Sequence, residues 1–360
     1  MTKHHDDVTK KYDDEGSAPG WEAIDAACLG LYPDQGEPFH YGTMPFSFFQ
    51  DPGLEGVSVY RVAQPEPHWH YVSYGLSDLF GEQDGPDGYG DSGHGFELTF
   101  RLADPQVMTA TEPPTWPIDM MQNLGRYVFA TGNRFGANHH MDAGGRIALE
   151  EDTELTALGF VADPDLGEIE TPSGKVRFTQ IFGLTGTDLS DVKAWSAESL
   201  YELYGARFPK FITHLDQGPL RDDPEVARLI EEGKLRDGSQ MARTFVERVG
   251  VAEVEGRLEI TIGARIAGEV PGYLQGRLPF GRDFMLIGNE DGLTFEPADS
   301  TSWELGEEEN FLRLTPADLE QVVAILEPKR GRHQAPAGVV WIIEPTEMRD
   351  PEGNVVEVIG

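Results

Sequence analysis

The chain has 360 residues, of which 28 are Lys or Arg and 63 are Asp or Glu, so its formal net charge is 28 − 63 = −35. A hydrophobic content of 39% is enough to build packed cores, which excludes wholesale disorder. The negative charge excludes nucleic acids and anionic membranes as general partners, because both are polyanions that attract basic surfaces. At about 100–200 residues per domain, the length predicts two domains.

Three further features predict the compartment. The sequence contains no run of about 18 apolar residues, the length that a transmembrane helix needs. The polar segment 1–19 lacks the apolar core of a signal peptide and is predicted to be a disordered, acidic leader. Cys28 is the single cysteine, so the chain forms no internal disulfide and no cysteine-based zinc site. These features together predict a cytoplasmic protein.

The N-terminal domain is predicted over residues 20–236. It begins with a helix over 21–32, in which Ile24, Cys28 and Leu31 share one face, and Pro33 ends it. Alternating and apolar runs predict strands at 57–62, 69–74, 96–102, 155–161 and 176–182. The strand over 96–102 is expected to be half-buried, and a Gly-rich acidic loop is expected over 81–95.

Four further helices are predicted in the same domain. The best marked begins after Thr115, a plausible N-cap residue, and ends at Gly132, a residue that suits the left-handed conformation at a helix C-terminus. The others are expected over 188–195, 199–208 and 223–232, the last with Pro224 in its first turn.

The C-terminal domain is predicted over residues 237–360. Strands are expected at 258–262, 274–278, 284–287, 293–295, 339–343 and 355–359. Thr315 followed by Pro316 predicts the start of a helix that runs to about Leu326. Because helices and strands do not alternate regularly, the sequence predicts an α+β fold with a mixed, mainly antiparallel sheet and flanking helices in each domain.

Two patterns suggest catalytic chemistry. The sequence Gly90-Asp91-Ser92-Gly93 copies the nucleophile loop of trypsin-like proteases, but its Gly- and Asp-rich surroundings favour a surface loop. In a strand, His68 and His70 point to the same face and could share a metal ion. The alternative, that both imidazoles pack and hydrogen-bond within a sheet, is favoured.

The remaining motif search argues against a cofactor. Gly174-Lys175 lacks the preceding glycine and the following Ser or Thr of a phosphate-binding loop. No dinucleotide-binding glycine motif opens a helix, and the carboxylates are too numerous to pair by sequence. We therefore predict no cofactor, no metal site and no catalytic residues. A metal-dependent hydrolase that uses His68 and His70 stays as the alternative.

Four segments resemble the signature of the Suppressor of fused family. They are PHWHYVSYGLSDLFG at residues 67–81, GFELTFRL at 95–102, PPTWP at 113–117 and MQNLGRYVF at 121–129. The similarity is specific over residues 20–183 and weaker towards the C-terminus. Animal members carry a long disordered insertion that this chain lacks, so the chain resembles a compact, bacterial member of the family.

The resemblance implies a non-enzymatic protein-binding role. Animal members sequester Gli-type transcription factors by holding a short peptide as an added β-strand in a cleft between two facing domains. Tyr127 and Phe135 match positions near that peptide groove, and Arg282 matches a position beside it in the C-terminal domain. His139 and Arg265 stand where the family pattern has acidic residues, so a Gli-type peptide is not expected as the ligand.

These five residues are the predicted partner-binding site: Tyr127, Phe135, His139, Arg265 and Arg282. The resemblance to bacterial members also implies an immunity role, in which the protein neutralises a toxin by binding a peptide or a basic domain in the interdomain cleft. A basic partner agrees with the charge of −35. The sequence leaves the oligomeric state open.

Overall fold

The computed structural model describes residues 18–42, 53–81, 90–307, 309–349 and 354–360. Residues 1–17, which make up nearly all of the predicted leader, lie outside the described part. By their contacts the residues form two compact units, Met1–Leu189 with Tyr201–Leu220 and Ser190–Leu200 with Arg221–Gly360. The units are defined by contacts between residues and do not test the predicted domain limits. The limits 20–236 and 237–360 therefore stay predictions.

The first unit is built on an eight-stranded sheet. Its strands are β1 (Phe39–Gly42), β2 (Gly56–Val62), β3 (His68–Tyr74), β4 (Asp91–Ala103), β5 (His140–Asp142), β6 (Leu155–Ala162), β7 (Glu168–Thr171) and β8 (Gly174–Thr185). The order is β1-β2-β3-β4-β8-β6-β5, with β7 also paired to β8. Only the β4–β8 pair is parallel among the pairs of this sheet that the structure describes.

The helices are α1 (Pro19–Leu31), α2 (Trp116–Thr131), α3 (Gly186–Ala194), α4 (Ala197–Arg207), α5 (Pro224–Asp237), α6 (Ala264–Arg277) and α7 (Pro316–Ile325). Helix α2 has the predicted limits, and Gly132 ends it at a φ of 72°. Thr115 precedes its first residue, but the Thr115 side chain makes no capping hydrogen bond. Its buried Met121, Leu124 and Val128 pack into the sheet core. Within the described residues, no helix combines the length and the apolarity needed to cross a membrane.

The second unit contains mixed sheets. One has the order β10-β11-β17-β16, one β14-β15-β13-β12-β9, and β18 pairs with β19. The strands are β9 (Arg243–Phe245), β10 (Val249–Val254), β11 (Arg257–Gly263), β12 (Phe284–Ile287), β13 (Gly292–Pro297), β14 (Ser302–Leu305), β15 (Asn310–Leu314), β16 (Gly331–Gln334), β17 (Val339–Glu344), β18 (Thr346–Arg349) and β19 (Val355–Ile359). The predicted α+β class is confirmed.

The predicted strand over 274–278 is wrong, because these residues continue helix α6 into a short 3-10 turn. Val270, Tyr273 and Leu274 are buried at helical spacing and pack into the core of the second unit. The sequence obscures this helix because Pro271 and several glycines interrupt it. Helix α7, in contrast, starts as predicted, and the Thr315 hydroxyl accepts the Asp318 N–H at 3.2 Å.

Strand β4 also differs from its prediction in two ways. It begins at Asp91, so the predicted surface loop over 81–95 extends too far. Residues 96–102 are buried on both faces rather than half-buried. The polar positions Glu97, Thr99 and Arg101 are enclosed because distant parts of the chain supply their hydrogen-bond partners.

A buried ion pair holds the centre of the first sheet. The Arg101 guanidinium on β4 donates to both carboxylate oxygens of Asp163, at 2.7 and 3.1 Å, and to Asp165 at 2.9 Å. It also donates to the Gln180 side chain on β8. Burial alone would raise the pKa of Asp163, but its contacts with His70 and Arg101 outweigh burial and keep that pKa well below its usual value. The pair is therefore ionised within the core.

The buried carboxylate of Glu97 on β4 stabilises the turn over residues 75–77, which follows β3. Glu97 accepts the N–H groups of Gly75 and Ser77, each at 2.9 Å, and the hydroxyls of Ser73 and Ser77. Burial raises the pKa of Glu97 to about 7, against the opposing effect of these donors. Ser73, Gly75 and Ser77, which belong to the segment 67–81, thus stabilise the fold.

Replacing Arg101 by Leu would leave the Asp163 carboxylate buried without its counter-charge. We expect the free energy of unfolding to fall by about 3–5 kcal/mol, measured by urea denaturation, with a smaller loss for Arg101→Lys. Arg228→Leu is the matched control, because Arg228 forms exposed ion pairs with Glu225 and Glu232 on α5 and its loss should leave stability near the wild-type value. Equal losses in the two leucine variants would contradict a structural role for the buried pair.

The raised pKa of Glu97 predicts that the free energy of unfolding depends on pH. Because its pKa rises from 4.5 to about 7 on folding, the folded protein holds a proton that the unfolded chain releases between these values. The stability contributed by Glu97 is therefore lost as the pH rises through this range. The difference in unfolding free energy between wild type and Glu97→Gln should shrink from pH 4.5 to 7.5, whereas the exposed Glu168→Gln control should show no such decrease. A constant difference for Glu97→Gln would refute the raised pKa.

Candidate functional site

Tyr127 lies near the C-terminal end of α2, with 36% of its surface exposed. Its backbone carbonyl accepts the Thr131 hydroxyl at 2.7 Å. Its phenol oxygen accepts the Asn133 side-chain N–H at 2.9 Å. The turn that follows Gly132 therefore holds an exposed aromatic ring in one orientation.

A column of aromatic rings supports Tyr127 from below. The Tyr127 ring centroid lies 5.6 Å from that of Phe135, and Phe135 stacks on Phe160 at 4.4 Å. Phe135 is 9% exposed and Phe160, on β6, is fully buried. The column extends from the surface into the core, so packed neighbours support the inner side of the Tyr127 ring.

His139 joins the same cluster through its backbone. Its carbonyl accepts the Phe160 N–H at 3.0 Å and the Tyr201 hydroxyl at 2.8 Å, while its side chain is exposed. Tyr127, Phe135 and His139 therefore lie together on the first unit, next to β5. We refer to Tyr127, Asn133, Phe135 and His139 as the Tyr127 surface. Partner binding by these residues stays a prediction.

Arg282 and Arg265 lie apart from each other on the second unit. Arg282 donates to the backbone carbonyls of Asp237 at 2.9 Å and Ser239 at 3.1 Å, beyond the C-terminus of α5. Arg265 lies at the N-terminal end of α6, 3.6 Å from Glu269. Arg282 follows the other end of α6, five residues after Arg277. Partner binding by either arginine stays a prediction.

His68 and His70 lie on one face of β3, as predicted, and both are buried. His68 Nδ1 lies 2.7 Å from the Glu66 carbonyl, and the Tyr32 hydroxyl lies 2.6 Å from His70 Nδ1. Burial lowers the pKa of each imidazole to about 4, and Arg101 adds to the effect at His70. The described ranges contain no group of three or more His, Cys, Asp or Glu residues placed to hold a metal ion. The hydrolase hypothesis thus gains no support from these histidines.

Ser92 is also placed away from solvent. It is fully buried in β4, and its hydroxyl accepts the Asp78 N–H at 3.1 Å. Gly93 has a φ of 56°, and a Cβ there would come within 2.7 Å of the Asp78 nitrogen. The Gly-Asp-Ser-Gly motif therefore joins β4 to the signature turn and does not present a nucleophile.

Two contributors to the site were missed at the sequence level. Asn133 follows a helix-ending glycine, which predicts a turn but does not indicate that its amide holds the Tyr127 phenol. Tyr201 reaches His139 from 62 residues away. No local signal in the sequence indicates a contact across that separation.

Both units of this chain combine helices with mixed sheets and are of the α+β class. The Suppressor of fused protein (SUFU) family profile matches residues 50–216. The Suppressor of fused homolog of Homo sapiens is 37% identical over 195 residues, which cover 51% of this chain and 39% of that protein. The match thus spans well under half of the length of this curated relative.

Solved structures agree. The crystal structure of Drosophila Suppressor of Fused has a TM-score of 0.74 at 22% identity, over 91% of this chain and 97% of that one, which establishes the fold. A chain from the Sufu-Fu complex has a TM-score of 0.55 at 32% identity, over 59% of this chain and 97% of that one. The chain belongs to the Suppressor of fused family.

Arg282 is expected to contribute to stability. Arg282→Ala removes the side-chain donor to the Asp237 carbonyl and one of two donors to the Ser239 carbonyl, which also accepts from Arg277 at 3.0 Å, so the free energy of unfolding should fall by about 1 kcal/mol in urea denaturation. Arg236→Ala is the matched control, because Arg236 pairs with the Asp237 carboxylate at the same helix end but is 69% exposed. The control should stay close to wild type. If Arg282→Ala is equally stable, the predicted role of Arg282 in binding becomes the better explanation for this residue.

Proposed function

We propose that this chain is a non-enzymatic protein-binding module and that the Tyr127 surface contacts the partner. The observation that carries the proposal is the exposed Tyr127 ring, held by Asn133 and supported by Phe135 and Phe160. Tyr, Trp and Arg dominate the binding energy of protein interfaces. A ring that is already fixed before binding loses little conformational entropy when a partner covers it.

The family supports a binding role. One relative, which is 32% identical, was solved as the Sufu-Fu complex. The curated human relative is matched over only 39% of its length, so its partners are not assigned to this chain. The partner of this protein is described here by its chemistry alone.

The net charge of −35 supports a basic partner, because opposite charge speeds the encounter of two proteins. We propose more specifically an immunity role in the cytoplasm, in which the protein neutralises a basic toxin domain by covering it. The association rate with such a domain should fall steeply as salt rises from about 0.05 to 0.5 M, because the Debye length shortens from over 10 Å to about 4 Å. An association rate that does not depend on salt would argue against a basic partner. It would not test the Tyr127 surface.

Tyr127→Ala tests the binding site. The partner is first isolated from native lysate with wild-type protein and identified by mass spectrometry, and its affinity is then measured by calorimetry. We expect Tyr127→Ala to weaken binding by about 30-fold or more, as loss of about 2 kcal/mol at an interface anchor implies. Tyr127→Phe keeps the ring but loses the bond from Asn133, so its affinity should lie between those of wild type and Tyr127→Ala.

Met108→Ala is the control variant, because Met108 is an apolar side chain of the same unit with 58% exposure. It should bind like wild type. Thermal unfolding shows whether each variant is still folded, so that weaker binding can be assigned to lost contacts with the partner. The exposed position of Tyr127 predicts only a small change in Tm. Unchanged affinity in Tyr127→Ala would reject this surface as the site.

A further inference from the structure

Strand β16 is the last strand of the sheet β10-β11-β17-β16 in the second unit. It pairs antiparallel with β17, from Gly331 opposite Ile343 to Gln334 opposite Val340. Within the residues that the structure describes, no strand pairs with its other edge. Because an unpaired edge is a template for a further strand, β16 has room for a segment of another chain.

The core of the second unit fixes the position of this edge. The neighbouring strand β17 contributes the buried Val339, Trp341 and Ile343 to that core and pairs in parallel with β11. The Ala335 N–H donates to the Val339 carbonyl at 2.8 Å, which closes the C-terminal end of β16. An edge that is fixed before a partner arrives reduces the entropy cost of adding a strand.

Basic side chains cluster at the start of β16. Lys329, Arg330 and Arg332 are all exposed. Residues 328–343, which contain them, include no acidic residue, although 63 of the 360 residues of the chain are Asp or Glu. The edge strand is therefore locally basic in a strongly acidic protein.

The carboxylates on the neighbouring strands are already paired. Glu259 on β11 accepts from Arg332, and the Glu344 carboxylate at the end of β17 lies 2.7 Å from the Arg248 guanidinium. Neither carboxylate therefore neutralises the two remaining cations beside β16.

Lys329 and Arg330 are these remaining cations. Within the described part of the chain their side chains form no ion pair, and this includes Glu327, the acidic residue nearest to them in the sequence. At 0.15 M salt the Debye length is about 8 Å, so cations in direct contact with a bound segment outweigh the carboxylates elsewhere on the molecule. The charge at this edge thus complements an acidic segment and disfavours a basic one.

We propose that β16 binds an extended, acidic segment of a partner protein as an added strand. The backbone of that segment pairs with the free edge of β16, and its Asp or Glu residues pair with Lys329 and Arg330. The site consists of residues of the second unit and is independent of the Tyr127 surface and of the basic partner proposed for it.

The test uses full-length protein at 0.15 M salt and a synthetic eight-residue peptide of alternating Glu and Val, with binding followed by fluorescence anisotropy. A Lys–Val peptide of the same length is the charge control, and we expect it to bind at least about tenfold more weakly, about 1.4 kcal/mol. Two further Glu–Val peptides carry N-methyl groups on all Val or on all Glu residues. Alternate N–H groups of a strand point to the same side, so one of these two peptides cannot form the backbone ladder and should bind at least about tenfold more weakly.

The double variant Lys329→Gln, Arg330→Gln should weaken binding of the Glu–Val peptide by about tenfold or more, with a wild-type Tm because both side chains are exposed. The control variant Arg243→Gln, Arg257→Gln also removes two exposed cations, one on β9 and one on β11, that form no ion pair within the described residues. It changes the net charge equally and should bind like wild type. Tyr127→Ala should also bind like wild type, which separates this site from the Tyr127 surface.

Several results would overturn the proposal. They are equal binding of the Lys–Val peptide, of both N-methylated peptides or by the Lys329, Arg330 double variant. If the Glu–Val peptide does not bind at all, the cations only keep other strands away from the edge. Tighter binding of a single-stranded oligonucleotide than of the peptide would assign the cations to a nucleic acid instead. A wild-type dimer that the double variant abolishes would assign the edge to a second copy of the chain.

Discussion

The buried guanidinium of Arg101 is the constraint on which the first unit depends. A charge without solvent is tolerated only where fixed partners compensate it, and here Asp163, Asp165 and Gln180 accept from the two terminal nitrogens of Arg101. Arg101 lies on β4, Gln180 lies on β8, and Asp163 directly follows β6. The ion pair therefore positions β6 against the sheet centre. Strand β6 carries Phe160, which supports the aromatic column beneath the Tyr127 surface.

Charge has different roles at different depths of this molecule. In the core, Arg101 and Glu97 are enclosed by specific donors and acceptors, and these contacts define how strands meet. At the surface, the excess of carboxylates favours partners of positive charge, mainly by raising the rate of association. The Tyr127 surface is not defined by charge alone, because an exposed aromatic ring marks it.

Local sequence signals predicted most of the longer elements. Helices α2 and α7 were found because Thr115, Gly132 and Thr315 mark their ends. Helix α6 was missed because Pro271 and its glycines are typical of loops, whereas the buried Val270 and its helical neighbours stabilise it through packing. The short edge strands, such as β5 and β9, have three residues each, which is too few for a periodic pattern.

By itself, the sequence determined the family and the α+β class. It also named Tyr127, Phe135 and His139, whose role in binding stays a prediction. Only the tertiary structure decided that Arg282 satisfies backbone carbonyls and that β4 is buried on both faces. The physical reason is separation along the chain. Helix propensity and capping act over a few residues, whereas Arg101 and Asp163 are 62 residues apart in the sequence. A hydrogen bond between residues so far apart along the chain forms only once the sheet has formed.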